Sequence, residues 1–513
     1  MSRSPPARQL AMEALRSAHR RPSDQRFASS GTRTYTEALQ KLALLKSNRA
    51  TTQLFDQPAS PSADPNAPAI PEMLAWLRRA GYTPTDLARM RHIHVAGSKG
   101  KGSVCAYATS MLTRWRGADG SVGTYTSPHL VSPRERIAID GQPVAQDVFA
   151  AALFEVWDRL SDAARRDGAD PREAEGPDSK PFYFRFLTIL AWHIFLTRGV
   201  RDVVIECGIG GEYDATNILP PEAVSAAVVS QLGIDHVAML GDTVDKIAWH
   251  KAGVFKRGRR AFTRRLEAQP GVMEVLRSRA EEKGAALVEL DDAAVEAWGG
   301  VRGALEGGFQ KYNQALAVMA VREHLGMEAD DSAVLRDTLE VLIEGLREAK
   351  LRGRGEMLQH GDVKWYLDGA HNRDSLEGVA MWLARELASD ESVVLVFNQQ
   401  DRDISELLAV FTEATRTQSG RRDVFSHAVF TSNEVERPDD AETAELAVQK
   451  TAAAAMSNLC PDCKVHVSDN IRDAVAEAQS IAEAKGSRQK VLVTGSMHLI
   501  GGVLRVLEPE GLL

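Results

Sequence analysis

Cysteine is scarce in this chain of 513 residues: four occur, Cys105, Cys207, Cys460 and Cys463. So few cannot form a disulfide framework, which points to a reducing compartment. Cys460-Pro-Asp-Cys463 has the C-x-x-C spacing, yet no second Cys or Cys/His pair follows to complete a zinc site. Nor does it open a helix after a first strand, as a thioredoxin-type motif would. Long apolar runs are missing too. The longest, Phe186 to Thr197, is too short to span a bilayer and contains His193, so no transmembrane segment is expected. Charge of one sign is not in large excess: 62 Lys+Arg against 70 Asp+Glu gives −8. That balance argues against a nucleic-acid coat protein or a polybasic membrane binder.

What is present is globular. Hydrophobic residues make up 44% and charged residues 26%, which excludes wholesale disorder, collagen and coiled coil. The length suggests two to four domains, large enough to fold without metal or disulfide staples. The first 34 residues hold seven arginines and only Glu13 and Asp24 as acids. This bias fits a mitochondrial presequence or an ordinary basic terminus, so the expected location is cytoplasmic, mitochondrial or both.

Residues 1–33 are read as that basic segment and 34–346 as a first α/β domain. A charged linker at 347–352 and a second, smaller α/β domain at 353–513 follow. Helical spacing is expected at Tyr35–Leu45 and Pro71–Ala80. Strands are expected at His92–Ala96, Gly120–Tyr125, Asp202–Cys207, Ala226–Leu232 and Ala286–Leu290. A second series is expected at Val363–Leu367, Ser392–Phe397, His427–Thr431, Lys464–Val467 and Lys490–Val493. Helices should lie between the strands of that series at 373–387, 403–414, 440–457 and 471–485. Alternation of this kind implies mainly parallel sheets. The stretch 162–180, with 10 charged residues in 19, reads as a solvated surface insertion.

The sharpest local signal is the run from His92 through Ala96 into Gly97-Ser98-Lys99-Gly100-Lys101-Gly102-Ser103. An apolar strand enters a glycine-rich turn and then a helix, whose N-terminal amides and partial positive charge suit an anion. Lys101 can reach β and γ phosphates, and a hydroxyl such as that of Ser103 can serve phosphate or Mg²⁺. The loop departs from the strict Walker pattern, because Gly102 follows the lysine where Ser or Thr is usual. Glu206 ends a buried strand beside Gly208, Gly210 and Gly211, where a parallel sheet presents ligands to a crevice. His236 follows another strand; alone it would read as a structural histidine.

Many stretches together resemble the folylpolyglutamate synthase family, within the Mur-ligase-like ATP-dependent amide ligases. They include the loop Gly97–Ser103, Thr126-Ser127-Pro128-His129-Leu130-Val131 with Arg134-Glu135-Arg136-Ile137, and Tyr183–Thr188. Glu206–Asn217, Leu232–His236, Lys246–Lys256, Leu367–Asn372, Phe397–Gln400 and Thr494–Gly502 extend the resemblance over roughly residues 35 to 510. Phe397-Asn398-Gln399-Gln400-Asp401-Arg402-Asp403 is closest to fungal forms.

The resemblance implies a P-loop ATPase-like first domain with a mainly parallel sheet and a Rossmann-like second domain. Gly97, Ser98, Lys99, Gly100, Lys101, Gly102 and Ser103 would hold ATP; Ser127, Glu206 and His236 would hold Mg²⁺. Lys101, His236 and Lys251 would be catalytic, with Lys251 carbamylated. Arg354, Asp368 and His371 would reach the nucleotide from the second domain. Leu351-Arg352-Gly353-Arg354 departs from the family's usual Trp-Pro-Gly-Arg, Gly355-Glu356 replaces Thr-Gln, and His250 stands for Gln or Glu. The implied activity is ATP-dependent addition of L-glutamate to the γ-carboxylate of tetrahydrofolates through an acyl phosphate, by a monomer. Two other readings stand: a dihydrofolate synthase or bifunctional enzyme, told apart by offering dihydropteroate, and a nucleotide-binding scaffold that has lost ligation.

Overall fold

A computed structural model describes residues 33–45, 66, 68–305, 307–327, 334–400, 403–436, 446–485 and 489–509. The basic N-terminal segment, except Arg33, lies outside them. Within the first half run strands β1 (Arg91–Ala96), β2 (Val122–Tyr125), β3 (Ile137–Ile139), β4 (Gln142–Pro143), β5 (Asp202–Glu206), β6 (Val224–Val229), β7 (Arg260–Arg264) and β8 (Ala286–Leu290). They form one eight-stranded sheet in the order β4-β3-β2-β5-β1-β6-β7-β8. The pairings from β2 to β8 are parallel, and β3 and β4 extend the sheet antiparallel at one edge.

Helices cover both faces because the central strands are apolar on both sides. On one face the helices Gln146–Arg166 and Tyr183–Thr197 pack Phe149, Trp157, Phe186 and Trp192 against Val203 and Ile205. The run Phe186–Thr197 is thus a core helix. On the other face Lys101–Arg116, Gln310–Leu325 and Glu340–Glu348 cover Ile93, Val95 and Val204.

The second half forms a six-stranded sheet from β9 (Glu356–His360), β10 (Val363–Leu367), β11 (Ser392–Phe397), β12 (Phe425–Thr431), β13 (Lys464–Ser468) and β14 (Gln489–Thr494). Its order is β13-β12-β11-β14-β10-β9, parallel except for β9. Leu130 and Val131, from the first half, insert into the core of this sheet, and Arg505 donates to Val131 O at 2.7 Å. A Cβ on Gly501 would lie 2.1 Å from Leu130 O, so the two halves meet backbone to backbone there.

Three features differ from expectation. Strands β7 and β9 escape a hydrophobicity reading because both begin with charged residues and β9 is half-exposed at a sheet edge. The stretch 162–180 is not a wholly solvated insertion. It completes one helix, adds another at Pro171–Glu175, and buries Lys180 with its ammonium 4.7 Å above the Trp157 ring. The helix expected at 440–457 is observed as Ala447–Leu459, with 440–445 outside the described residues.

Candidate functional site

The loop after β1 is shaped by glycines whose conformations other residues avoid. Gly97 has φ of 151° and Gly100 of 84°; a Cβ would lie 1.9 Å from Ser230 Oγ at the first and 2.3 Å from Asn313 Oδ1 at the second. Ser98 and Lys99 both donate their backbone N–H to Gln231 O, at 2.9 and 3.0 Å. Their amides therefore brace the loop against the segment after β6, and the open first-turn amides are those of Lys101, Gly102 and Ser103. Ser98 Oγ adds a bond to Gly233 O at 2.8 Å. Ser103 is buried, and Gln310 Nε2 donates to its Oγ at 3.5 Å.

Two ammonium groups meet on one carbonyl in this loop. Lys101 Nζ donates to Gly97 O at 2.9 Å, and Lys251 Nζ donates to the same oxygen at 2.8 Å. Lys251 is fully buried and also pairs with Asp235 Oδ2 at 3.1 Å. Burial, reinforced by the charge of Lys101 and opposed by Asp235, lowers its pKa to about 8. Asp235 Oδ1 is buried without a hydrogen-bond partner.

Glu206 ends β5 beside this loop and is buried; its Oε2 accepts the Ser127 backbone N–H at 3.0 Å. Burial raises its pKa, against the pull of Lys101, the Ser127 N–H, Arg354 and Arg136. A carboxylate so desolvated is under-compensated, which is the setting a hard cation relieves. His236 caps the short helix Val237–Leu240 in a left-handed conformation, φ 44° and ψ 45°, which costs a non-glycine residue about 1–2 kcal/mol. Among the described residues no three His, Cys, Asp or Glu side chains form a ready-made metal cage. A single buried carboxylate beside the Ser127 backbone matches the sparse, oxygen-based protein ligation that Mg²⁺ accepts.

In the second sheet the loops after β10, β11 and β14 meet at the carboxyl ends of these strands. Asp368 accepts N–H groups from Gly355 at 2.8 Å and Ala370 at 2.9 Å, so its carboxylate ties down the turn that carries Arg354. Burial raises its pKa and Arg354 opposes this most. Arg354 also favours the charged form of Glu206, from the second half of the chain. Buried Gln399 Nε2 donates to His371 O at 3.4 Å and to Gly495 O at 3.2 Å, joining the three loops, while His371 Nδ1 bonds Gly369 O at 3.0 Å. Across the linker, Leu351 closes on Gly102.

A cleft of about 120 Å³ opens beside the loop that follows Glu206, lined by Phe182, Phe184, Ile209, Tyr213, Asp214 and His250 among others. Asp214 accepts N–H groups from Gly208, Ile209 and Thr216 and so shapes the cleft-lining loop. Arg136 Nε donates to His129 Nδ1 at 2.9 Å, with the guanidinium over the ring of Tyr183, which lies in the chain between the cleft residues Phe182 and Phe184. Burial, then Arg136, keep the His129 pKa down at about 3, so it stays an acceptor. Sequence reasoning quoted the stretches holding Arg136, Phe184 and Asp214 yet gave these residues no role, and it missed Gln310 and Asn313 altogether. The only signal for the former group was their place in the resembling motifs.

Residues 352–506 match the family model described as dihydrofolate synthetase, C-terminal domain. The folylpolyglutamate synthase of Neurospora crassa is 37% identical over 509 residues, covering 94% of this chain and 93% of that one. The probable folylpolyglutamate synthase of Schizosaccharomyces pombe is 36% identical over 501 residues, with 93% and 95% covered. In three dimensions the chain is similar to Mycobacterium tuberculosis folylpolyglutamate synthase complexed with ADP, at a TM-score of 0.66 and 25% identity over 92% of this chain and 99% of that one. With relatives this similar along nearly its whole length, the chain belongs to the folylpolyglutamate synthase family.

Proposed function

We propose that the chain adds L-glutamate to the γ-carboxylate of reduced folates at the expense of ATP, in the crevice between units at 34–346 and 353–513. The observation that carries this is the pair of ammonium groups, Lys101 and Lys251, gathered on Gly97 O at a helix N-terminus. That cradle suits a polyphosphate, whose oxygens are stronger acceptors than a carbonyl. The folate carboxylate takes the γ-phosphoryl group, ADP leaves, and the free glutamate amine displaces phosphate to form the amide.

In this reading Lys101 and the amides of residues 101–103 neutralise the phosphates, while Arg354 closes on them from the second sheet. Asp368 fixes the turn bearing Arg354, and His371 follows Asp368 in the loop after β10. Gly97, Ser98, Lys99 and Gly100 shape the cradle. Arg136, oriented by His129, would meet the folate carboxylate. The cleft's aromatic residues Phe184 and Tyr213 would flank the folate's ring system. Mg²⁺ held by Glu206, Ser127 and His236 would supply charge neutralisation at the transferring phosphate.

Lys251 is the lysine suited to carbamylation. Its lowered pKa supplies the neutral amine that adds to CO₂, releasing a proton. The resulting anion would face Asp235, so the modification needs a cation in place. No helix among the described residues is long and apolar enough to cross a membrane. A monomer in the cytosol or mitochondrion completes the proposal.

One finding favours the dihydropteroate reading: the family model matched by the second half. An ADP-release assay with folate and amino acid varied independently tests both. Release that requires tetrahydrofolate and L-glutamate together is expected; exclusive use of dihydropteroate would move the assignment to a dihydrofolate synthase. ATP binding without glutamate-dependent release would leave a scaffold.

A further inference from the structure

The proposed chemistry makes no use of Arg279, a buried cation on the helix Pro270–Lys283. Its NH2 pairs with Glu212 Oε2 and its NH1 with Glu282 Oε2 at 2.5 Å. Its guanidinium carbon lies 4.3 Å over the Trp249 ring, and its Nε is buried without a partner. Lys283 holds the other Glu212 oxygen at 2.9 Å. Glu212 belongs to the loop that follows Glu206 and lines the cleft, whereas Trp249 belongs to the helix Val244–Lys251.

The two segments that Arg279 touches lie flat on each other. Glu212 N donates to His250 O at 2.7 Å, and Asn217 Nδ2 bridges Glu212 O and Gly253 O at 3.0 and 3.1 Å. A Cβ on Gly211 would lie 2.7 Å from His250 O, and one on Gly253 would lie 2.3 Å from Glu212 Cα. Small displacements along such a seam move the cleft wall relative to Lys251. A buried ion pair adds little net stability over an apolar replacement of similar volume, because desolvation offsets attraction. What it does supply here is direction: charge fixes Glu212 while ring stacking fixes Trp249.

We propose that Arg279 is a positioning residue that holds the cleft-lining loop around Glu212 in register with the helix carrying Lys251. This rests on reading the cleft as the folate site. The test uses the full-length enzyme with Arg279→Met, Arg279→Lys and, as a control on the cleft wall away from this seam, Phe184→Ala. Arg279→Met should raise the KM for tetrahydrofolate about tenfold, with the KM for ATP and the melting temperature nearly unchanged. Arg279→Lys, which keeps the charge on Glu212, should recover part of that loss, and it carries the test alone if the methionine variant does not fold. Unchanged KM values in a folded variant, or both KM values rising together as the melting temperature falls, would overturn the proposal. If Phe184→Ala also leaves the folate KM unchanged, the cleft reading itself fails.

Discussion

In the loop after β1 two cations converge on a single carbonyl oxygen, whereas in the loops after β10 a single carboxylate collects backbone N–H groups. The first arrangement leaves Lys101 on a weak acceptor, so an incoming phosphate competes there with Gly97 O, and at Lys251 with Asp235 as well. The second is already closed on itself, so it contributes orientation more than new bonds. Under the proposed function, differential stabilisation of the transition state would therefore belong mainly to the first half, and placement of the nucleotide to the second.

The sharpest way to break this comparison is Lys101→Ala. Glutamate-dependent ADP release should fall by about a thousandfold with the melting temperature held, since a preorganised cation at developing phosphate charge is lost. Undiminished extension would remove Lys101 from its assigned role. Asp368→Ala frees the turn bearing Arg354 and should act on placement: a rise in the KM for ATP of about tenfold, with kcat less affected. If it instead lowered kcat as far as Lys101→Ala, the two halves would not divide the work as described.

Much of the fold was legible because its strands are apolar runs bounded by glycine or charge. Of the strands expected, Ala286–Leu290, Val363–Leu367 and Ser392–Phe397 have the expected limits, and the others differ by up to three residues at an end. The strand–turn–helix around Gly97–Ser103 was readable for the same reason. Illegible were contacts made across long chain separations. Gln231 takes the Ser98 and Lys99 amides, and Asn313 fills the space beside Gly100; no local pattern announces either. The three-residue β3 and the polar edge strand β9 are held by pairing with neighbours, so their own sequences carry little signal.

The smallest expected effect concerns Lys251, and it tests whether the first half is strained by its own cations. Its pKa in the folded chain is about 8, against an ordinary value of 10.5. Between those values the unfolded chain binds more protons, so stability rises with pH; below about pH 8 the full penalty of the buried ammonium is present. Lys256, also lowered to about 8, shares this window, so the comparison must be made against Lys251→Met. Denaturant unfolding at pH 7.5 and pH 10 should show wild type gaining on that variant by at most about 3 kcal/mol as pH rises. Parallel curves would mean that the ammonium carries no penalty. With ADP bound the gain should shrink, because phosphate charge beside Lys101 and Lys251 favours the protonated amine; an undiminished gain would place the nucleotide away from Gly97.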